Sequence, residues 1–267
     1  MKAWITLIIS GLLSASLHAQ VFTFGIVPQQ SASRLASLWD PILEQISEQT
    51  GHTIVFSTAS DIPTFEQRLR EGEYDFSYMN PYHYSVFSQT PGYRAMAKAK
   101  DKLIKGIIVV RKDSGINSVE QLQDQTLAFP SPAAFAASIL TRDYLHQSGV
   151  SFTPSYVSSH DSVYLSVAKG FYPAGGGILR TFNSLPEETK ELLTPIWQTE
   201  GYTPHAIAAH PRVPREIVAA VSQALFALNE SPQTQQLLTN LNIKGFVNAK
   251  DQDWDDVRRL QIQLLSQ

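Results

Sequence analysis

Apolar and polar residues alternate along residues 21–27, and this period of two predicts a β-strand. Apolar residues then recur every three or four positions along residues 35–46, which predicts an amphipathic helix. Residues 53–57 and 74–79 predict two more strands, with a helix between them that Asp61 can cap. The order strand, helix, strand, helix, strand predicts an α/β lobe built on a largely parallel sheet.

The second half of the chain repeats this alternation. Residues 94–99 and 103–111 predict strands, and the second of these is long enough to cross from one lobe to another. A strand at 126–129 and a helix at 132–147 start a second α/β series, and strands at 196–199 and 205–209 are expected to return to the first lobe. The other predicted elements are a strand at 155–158 and helices at 161–169, from 184, and at 214–229, 232–241 and 253–264, while residues 172–179 contain a three-glycine tract.

The predicted domain organisation has two interleaved lobes joined by crossing strands. Lobe 1 is discontinuous and comprises residues 20–108 and 205–267, whereas lobe 2 comprises residues 109–204. In α/β sheets of this kind, ligands bind beyond the carboxyl ends of the strands, where loops lead into helix N-termini. The cleft between the lobes is therefore the expected binding site.

The first residues have the layout of a secretory signal. Lys2 precedes an apolar run at residues 3–13, and small residues follow up to Ala19, where we expect cleavage. The run is shorter than the roughly 20 residues that a membrane span needs. No cysteine is present to carry a lipid, so we expect an exported periplasmic protein without an anchor.

Composition excludes several classes of function. Of the 267 residues, 43% are hydrophobic and 17% charged, and the formal net charge is −3, which argues against a nucleic-acid partner. The absence of cysteine excludes disulfides, thiolate metal sites and cysteine nucleophiles. The sequence contains no phosphate loop, no His-Glu-x-x-His and no Gly-x-Ser-x-Gly, so we expect no metal, no cofactor and no catalytic residue.

Five segments resemble one family in order and spacing. They read FGIVPQQS at 24–31, YDFSYMNPY at 74–82, VVRKDSGI at 109–116, LAFP at 127–130 and SSHDSV at 158–163. These segments resemble the phosphate, phosphite and phosphonate receptors of ATP-driven (ABC) importers.

The resemblance implies a type II periplasmic-binding-protein fold with a hinged cleft. It also implies a tetrahedral oxyanion held by hydroxyls and backbone N–H groups at helix starts, with a His-Asp segment nearby. The positions that match the family's binding residues are Gln30, Ser31, Tyr78, Ser131, Ser159, His160 and Asp161.

One departure from the family pattern concerns the ligand. Where the family has a run of Ser and Thr followed by Gly, residues 131–135 read Ser-Pro-Ala-Ala-Phe. Much of the family's oxyanion clamp is therefore absent, and the sequence does not identify the ligand.

The residues themselves leave a binding role and a structural role open at each candidate. The His160-Asp161 pair and Ser131 stand where helices begin, so they can meet an anion or cap the helix. Tyr78 and Asn80 flank a strand-to-loop turn, where a tyrosine can contact ligand or belong to the core. Arg180 follows three glycines and can bind an oxyanion through its two-pronged guanidinium, or be solvated.

We expect a monomeric binding protein that captures a small anionic solute for the permease of an ABC importer. The first alternative is a periplasmic sensor subunit that presents its ligand state to a membrane histidine kinase. The second is an enzyme on the same fold, for which His160 with Asp161 would be the acid–base pair.

Overall fold

A computed structural model describes residues 19–265, which form two mixed β-sheets with helices packed against them. The strands are β1 (Val21–Ile26), β2 (Thr53–Ser57), β3 (Phe76–Met79), β4 (Arg94–Ala99), β5 (Gly106–Arg111), β6 (Gln125–Phe129), β7 (Phe152–Tyr156), β8 (Ala174–Ile178), β9 (Leu193–Gln198), β10 (Ala206–Ala209) and β11 (Phe246–Asn248).

The helices lie between these strands and along the C-terminal part. The α-helices are α1 (Ala32–Thr50), α2 (Ile62–Arg70), α3 (Pro81–Phe87), α4 (Leu140–Gln147), α5 (His160–Ala168), α6 (Leu179–Asn183), α7 (Glu187–Lys190), α8 (Arg215–Ala227), α9 (Pro232–Asn240) and α10 (Asp255–Arg258). A π-helix at Phe135–Ile139 precedes α4, and 3₁₀ turns occupy Val119–Leu122 and Asp251–Trp254.

Lobe 1 is built on the sheet β11-β4-β10-β3-β1-β2. The pairs β1–β2 and β1–β3 are parallel, as the strand–helix alternation predicts, and β10 joins β3 and β4 as an antiparallel strand. The predicted helix after β1 is confirmed: Ser31 caps it, since the Arg34 N–H donates to the Ser31 hydroxyl, and Gly51 ends it in the left-handed region at φ 69°. The loops after β1 and β3 therefore lie at one edge of this sheet.

Lobe 2 is built on the sheet β7-β6-β8-β5-β9. Strands β7, β6 and β8 are mutually parallel, whereas β5 runs antiparallel to both β8 and β9. The carboxyl ends of β6, β7 and β8 therefore share one edge, and they lead into the π-helix, α5 and α6.

Two short segments connect the lobes. Residues 100–105 run from β4 in one sheet to β5 in the other, and residues 199–205 return from β9 to β10. The segments pair with each other, because the Ile104 N–H donates to the Tyr202 carbonyl over 2.8 Å and the Tyr202 N–H donates to the Ile104 carbonyl over 3.0 Å. The predicted lobe boundary after residue 108 falls within β5.

The helix predicted from residue 132 begins later and opens with a π-turn. Ala134 has an extended backbone with ψ 102°, and the Ile139 N–H donates to the Ala134 carbonyl over 3.2 Å. Sequence periodicity does not distinguish this arrangement from an ordinary helix start.

The returning strands were only half correctly predicted. Strand β10 joins lobe 1 as expected, but β9 pairs with β5 and stays in lobe 2, where Trp197 lies opposite Ile108. The tail helix predicted for residues 253–264 ends at Arg258, and Gln261 beyond it has φ 51°, which a helix does not accommodate. Helices α3 and α6 and strands β8 and β11 were not predicted.

Along residues 19–265, no helix has the length and apolar character that crossing a bilayer would require. The predicted signal sequence lies outside the described residues, except for Ala19 at its end.

Candidate functional site

The two lobes touch where the sheet edges face each other. Gln29, in the loop after β1, is buried, and its carbonyl accepts a hydrogen bond of 3.0 Å from the N–H of His160 at the start of α5. Asn80, at the end of β3, donates its side-chain amide to the Ala133 carbonyl of lobe 2 over 3.3 Å. The apolar core of lobe 1 continues through Ala134 into the π-helix. The structure therefore has a closed cleft.

Arg180 is the central cation of this interface. It stands at the start of α6 in lobe 2 and donates to Gln29 Oε1 over 2.5 Å and to the Leu241 carbonyl over 3.4 Å, both in lobe 1. Its guanidinium carbon lies 5.8 Å from the centre of the Tyr78 ring, within the range of a cation–π contact.

The contacts of Arg180 fix the hydrogen-bonding roles of its neighbours. An arginine only donates, so the Gln29 atom facing it is the amide oxygen and the amide nitrogen faces His205. That nitrogen lies 2.7 Å from His205 Nε2, which must therefore accept and carry no proton. Burial, followed by the charge of Arg180, holds the pKa of His205 well below its usual value. A neutral imidazole is what this arrangement needs.

His160 and Asp161 open α5 and are both withdrawn from solvent. Burial, followed by the charge of Arg180, lowers the pKa of His160 from 6.5 to about 3. Burial raises the pKa of Asp161, while hydrogen bonding from the Ser31 N–H and from Gln30 and the charge of Arg34 oppose that shift. His160 Nδ1 and Asp161 Oδ1 are buried without a hydrogen-bond partner. Two polar atoms are thus available at the start of this helix.

Ser131 and Asn80 differ in how fully their polar atoms are used. Ser131 follows β6 and is 2% exposed, and its hydroxyl has no hydrogen-bond partner. Asn80 caps α3, because its Oδ1 accepts from the His83 N–H over 2.8 Å, and its amide nitrogen is engaged with the other lobe. The Asn80 side chain is therefore occupied within the protein.

The remaining candidates lie at helix starts. The Ser31 hydroxyl caps α1 and is exposed, and the Ser159 hydroxyl caps α5 by accepting from the Ser162 N–H over 3.1 Å. Gln30 lies at the lobe interface with Tyr78 and Arg180. Ser158, just before the second cap, has φ 74°, a left-handed backbone that is uncommon for residues other than glycine.

Within residues 19–265, three small cavities of the closed cleft are lined by candidate residues. One of about 60 Å³ lies between the crossing segment 100–105 and α6, beside Tyr78, Arg180 and His205. A second of about 10 Å³ lies beside Gln30, Trp39 and Arg180. A third of about 10 Å³ has a lining that includes Gln29, Asn80, Ala134–Ala137, His160 and His205.

The cavities bring together part of the predicted set and add residues that the sequence analysis missed. Tyr78, Asn80, His160, Arg180 and Gln30 line cavities, whereas Ser31 and Ser159 act as caps.

The missed residues are Gln29, His205 and Lys102. Gln29 directly precedes the predicted site residues Gln30 and Ser31, so its position in the sequence could have indicated it. His205 reaches Tyr78 because β10 pairs with β3, a long-range pairing that no local pattern reveals.

A family model described as "ABC transporter, phosphonate, periplasmic substrate-binding protein" matches residues 24–254. The chain is 20% identical over 287 aligned positions to the phosphate-import protein PhnD of Mycolicibacterium smegmatis, covering 90% of this chain and 85% of that protein. A solved structure of PhnD1 from Prochlorococcus marinus in complex with methylphosphonate matches with a TM-score of 0.82 and 20% identity, covering 90% of this chain and 96% of that one.

A third relative has a different role. The tetrathionate sensor histidine kinase TtrS of Salmonella typhimurium is 23% identical over 148 residues, which is 52% of this chain and 25% of that protein. The similarity thus includes both a transport component and part of a sensor.

Proposed function

The chain belongs to the family of periplasmic substrate-binding proteins of phosphonate ABC transporters, and we propose that it captures a small phosphonate-like oxyanion between its two lobes for a membrane permease. It has the mixed α/β architecture of the type II periplasmic-binding-protein fold, with a sheet in each lobe. We propose a phosphonate-like oxyanion as the ligand, the periplasm as the compartment and a membrane permease as the partner. The assignment of residues to the site is likewise proposed.

The observation that carries the proposal is the set of polar groups at the facing sheet edges. Ser131 Oγ, His160 Nδ1 and Asp161 Oδ1 are buried and lack partners, and they follow the carboxyl ends of adjacent parallel strands. Buried polar atoms are normally hydrogen-bonded, so these orphaned atoms after adjacent strands indicate a missing partner. An oxyanion or a water can accept from the Ser131 hydroxyl, whereas Asp161 Oδ1 is itself an acceptor and needs a partner that carries a hydrogen.

The proposed mechanism is ligand-dependent closure. Gln29, Tyr78 and Gln30 come from lobe 1, whereas Ser131, Ser159, His160, Asp161 and Arg180 come from lobe 2. A ligand favours the closed state only by the contacts that it gains there and lacks in the open state. Donors on both lobes supply that difference, and the paired crossing segments 100–105 and 199–205 provide the hinge. Asn80 contributes by holding the start of α3 and by reaching across to lobe 2.

The test is a binding panel on residues 20–267. Methylphosphonate, phosphite, phosphate, sulfate, carboxylates, amino acids and neutral solutes are compared by thermal shift and calorimetry. A ligand at a hundredfold excess over its dissociation constant stabilises the folded state by about 2.7 kcal/mol. We expect an oxyanion to do this and to be recovered unchanged, as judged by phosphorus NMR. Stabilisation by neutral or cationic compounds alone would refute the proposal, and turnover would favour an enzyme.

A sensor subunit is the second candidate, and the similarity to part of a sensor histidine kinase favours it. The two roles differ in their cellular consequence. Deleting the gene should abolish growth on methylphosphonate as sole phosphorus source if the protein serves an importer. If it serves a kinase, deletion should leave uptake intact and abolish a transcriptional response to the ligand.

A further inference from the structure

The largest of the three cleft cavities has an unusual concentration of positive charge. Lys102, Lys105 and Arg180 all line it. Lys102 Nζ donates to the carbonyl of Asn242 over 2.9 Å and to its side-chain oxygen over 3.3 Å. Within residues 19–265, none of these three cations forms an ion pair with a carboxylate, although six other Lys or Arg ion pairs are present. The hydrogen bonds that these cations make are to neutral acceptors.

This arrangement is electrostatically unfavourable without an anion. Burial, followed by the charges of Arg180 and Lys244, lowers the pKa of Lys102. The charge of Arg180 also lowers the pKa of each of the two neutral histidines of the interface, His160 and His205. Like charges that are partly withdrawn from water destabilise one another, and an opposite charge placed between them reverses that effect.

The walls and the size of the cavity restrict the ligand. Ile104, Leu179 and Ile243 provide apolar surface, and the rings of Tyr78 and His205 also line the cavity. A cavity needs about 10–15 Å³ of free volume to hold one water. A free volume of about 60 Å³ therefore corresponds to a solute of about five non-hydrogen atoms. A compact oxyanion with one short apolar substituent has this size and this division into charged and apolar parts.

The helix-start region of lobe 2 offers no comparable space. The cavity beside Ala134–Ala137 and His160 measures about 10 Å³, which is about the room of one water. Ala133 and Ala134 are buried there in the position where a hydroxyl-rich turn would carry donors. Charge and room therefore both favour the cavity beside Arg180.

We propose that Arg180 and Lys102 are the charge-recognising residues for the ligand, and that its anionic group binds in the cavity between segment 100–105 and α6. The inference rests on the proposed binding function and names the place and the chemistry of recognition. Arg180 comes from lobe 2, whereas segment 100–105 joins the lobes, so a bound anion would tie α6 to the hinge.

The test compares methylphosphonate with its neutral dimethyl ester by isothermal titration calorimetry. The proteins are wild type, Arg180→Gln, Arg180→Lys, Lys102→Met and, as a control, Lys112→Met at an exposed lysine of lobe 2. We expect the wild type to bind the anion and not the ester. Arg180→Gln and Lys102→Met should each weaken binding by about thirtyfold or more, because each leaves less charge opposite a desolvated anion. Lys112→Met should change the affinity by less than about fivefold.

The outcomes separate this inference from the proposed function. If the wild type binds methylphosphonate and both Arg180→Gln and Lys102→Met keep its affinity, the cation site is refuted and the binding function stands. If the wild type binds neither methylphosphonate nor phosphate nor sulfate, both fall. Arg180 also contacts Gln29, so melting temperatures are recorded for every variant; should Arg180→Gln be unfolded, Lys102→Met decides the matter.

Discussion

The rings of Tyr78 and His205 lie stacked, with their centres 4.8 Å apart and their planes inclined by 15°. The stack joins β3 to the segment that returns from lobe 2, and Arg180 lies over the tyrosine ring. A protonated His205 would place two cations on one buried ring, and the burial and charge that hold the pKa of His205 low prevent this. The Tyr78–His205 stack therefore carries one cation, Arg180, beside a neutral imidazole.

Tyr78→Phe should separate the contribution of the aromatic ring to stability from the contribution of its hydroxyl to ligand binding. The ring stays in place, so we expect the melting temperature to change little. A lost hydrogen bond to the ligand corresponds to about 0.5–1.5 kcal/mol, or about two- to twelvefold in affinity. Calorimetry with methylphosphonate measures this, and Tyr78→Ala, which removes the stack, should cost about 3–5 kcal/mol of stability. Equal stability losses in both variants would contradict the separation.

His160 should make the protein sensitive to acid. Its pKa is about 3 in the folded state against 6.5 for a histidine in water, so the unfolded chain binds the proton first as the pH falls. Above pH 6.5 neutral His160 does not reduce the free energy of unfolding. As the pH falls from 6.5 to about 3, the free energy of unfolding decreases by about 1.4 kcal/mol per pH unit. Urea unfolding of His160→Asn between pH 7 and 4 should show a slope shallower by this amount.

The control for this slope is His146→Asn, at an exposed histidine. Asp161 has a raised pKa and contributes in the opposite direction, since its protonated form is favoured by folding. Comparing each variant with wild type cancels that contribution. Identical slopes for wild type and His160→Asn would show that His160 does not titrate differently in the two states.

Much of the fold could be predicted because its signals are local. The strand at 53–57 and the Asp61 cap each follow from a few neighbouring residues, and the structure confirms them. The resemblance placed the sheets in two lobes. The expected return of residues 196–199 to lobe 1 was wrong, although the predicted bounds of lobe 2, residues 109–204, do contain strand β9. Its partner β5 is distant in sequence, and pairing of that kind leaves no local pattern.

The site was predicted only in part for the same reason. Residues directly after strands, such as His160, were found because such positions are recognisable along the chain. Gln29 and His205 acquire their roles from contacts with Arg180 and Tyr78 that exist only once the lobes meet. Ser31 and Ser159 stay predictions as ligand-binding residues, and the structure assigns capping bonds to both.

Removing the Ser131 hydroxyl should not destabilise the ligand-free protein. The Oγ atom is buried without a partner, so Ser131→Ala relieves a desolvated polar group, and we expect the free energy of unfolding to stay constant or rise by up to about 1 kcal/mol. Ser138→Ala is a matched variant with the same property. Ser47→Ala is the contrast, because the Ser47 hydroxyl accepts from the Ile54 N–H and donates to the Leu43 carbonyl. Chemical denaturation should show a loss of about 1–3 kcal/mol for Ser47→Ala alone.

Gly176 should be indispensable to lobe 2. A Cβ atom at this position in β8 would meet the Ala137 carbonyl oxygen of the π-helix at 2.0 Å, so the glycine lets the helix backbone lie against the sheet. Gly176→Ala should therefore cost more than about 3 kcal/mol, or prevent folding, by overpacking. Gly115→Ala is the control: its φ is 72° and nothing lies within 4 Å, so we expect a loss of only about 1 kcal/mol. Thermal unfolding measures both, and similar losses would show that the helix can move away.

Asn80 should link a helix start to the closed state of the cleft, and two substitutions separate these roles. Asn80→Asp keeps an oxygen to accept from the His83 N–H but replaces the donor that faces the Ala133 carbonyl with a second oxygen. Asn80→Ala removes both groups and should cost about 1 kcal/mol through the lost cap. Because carboxylate and carbonyl oxygens repel each other, Asn80→Asp should open the cleft while α3 stays capped. Small-angle scattering of the ligand-free protein should then give a larger radius of gyration for Asn80→Asp than for wild type. An unchanged radius would show that this contact does not hold the lobes together.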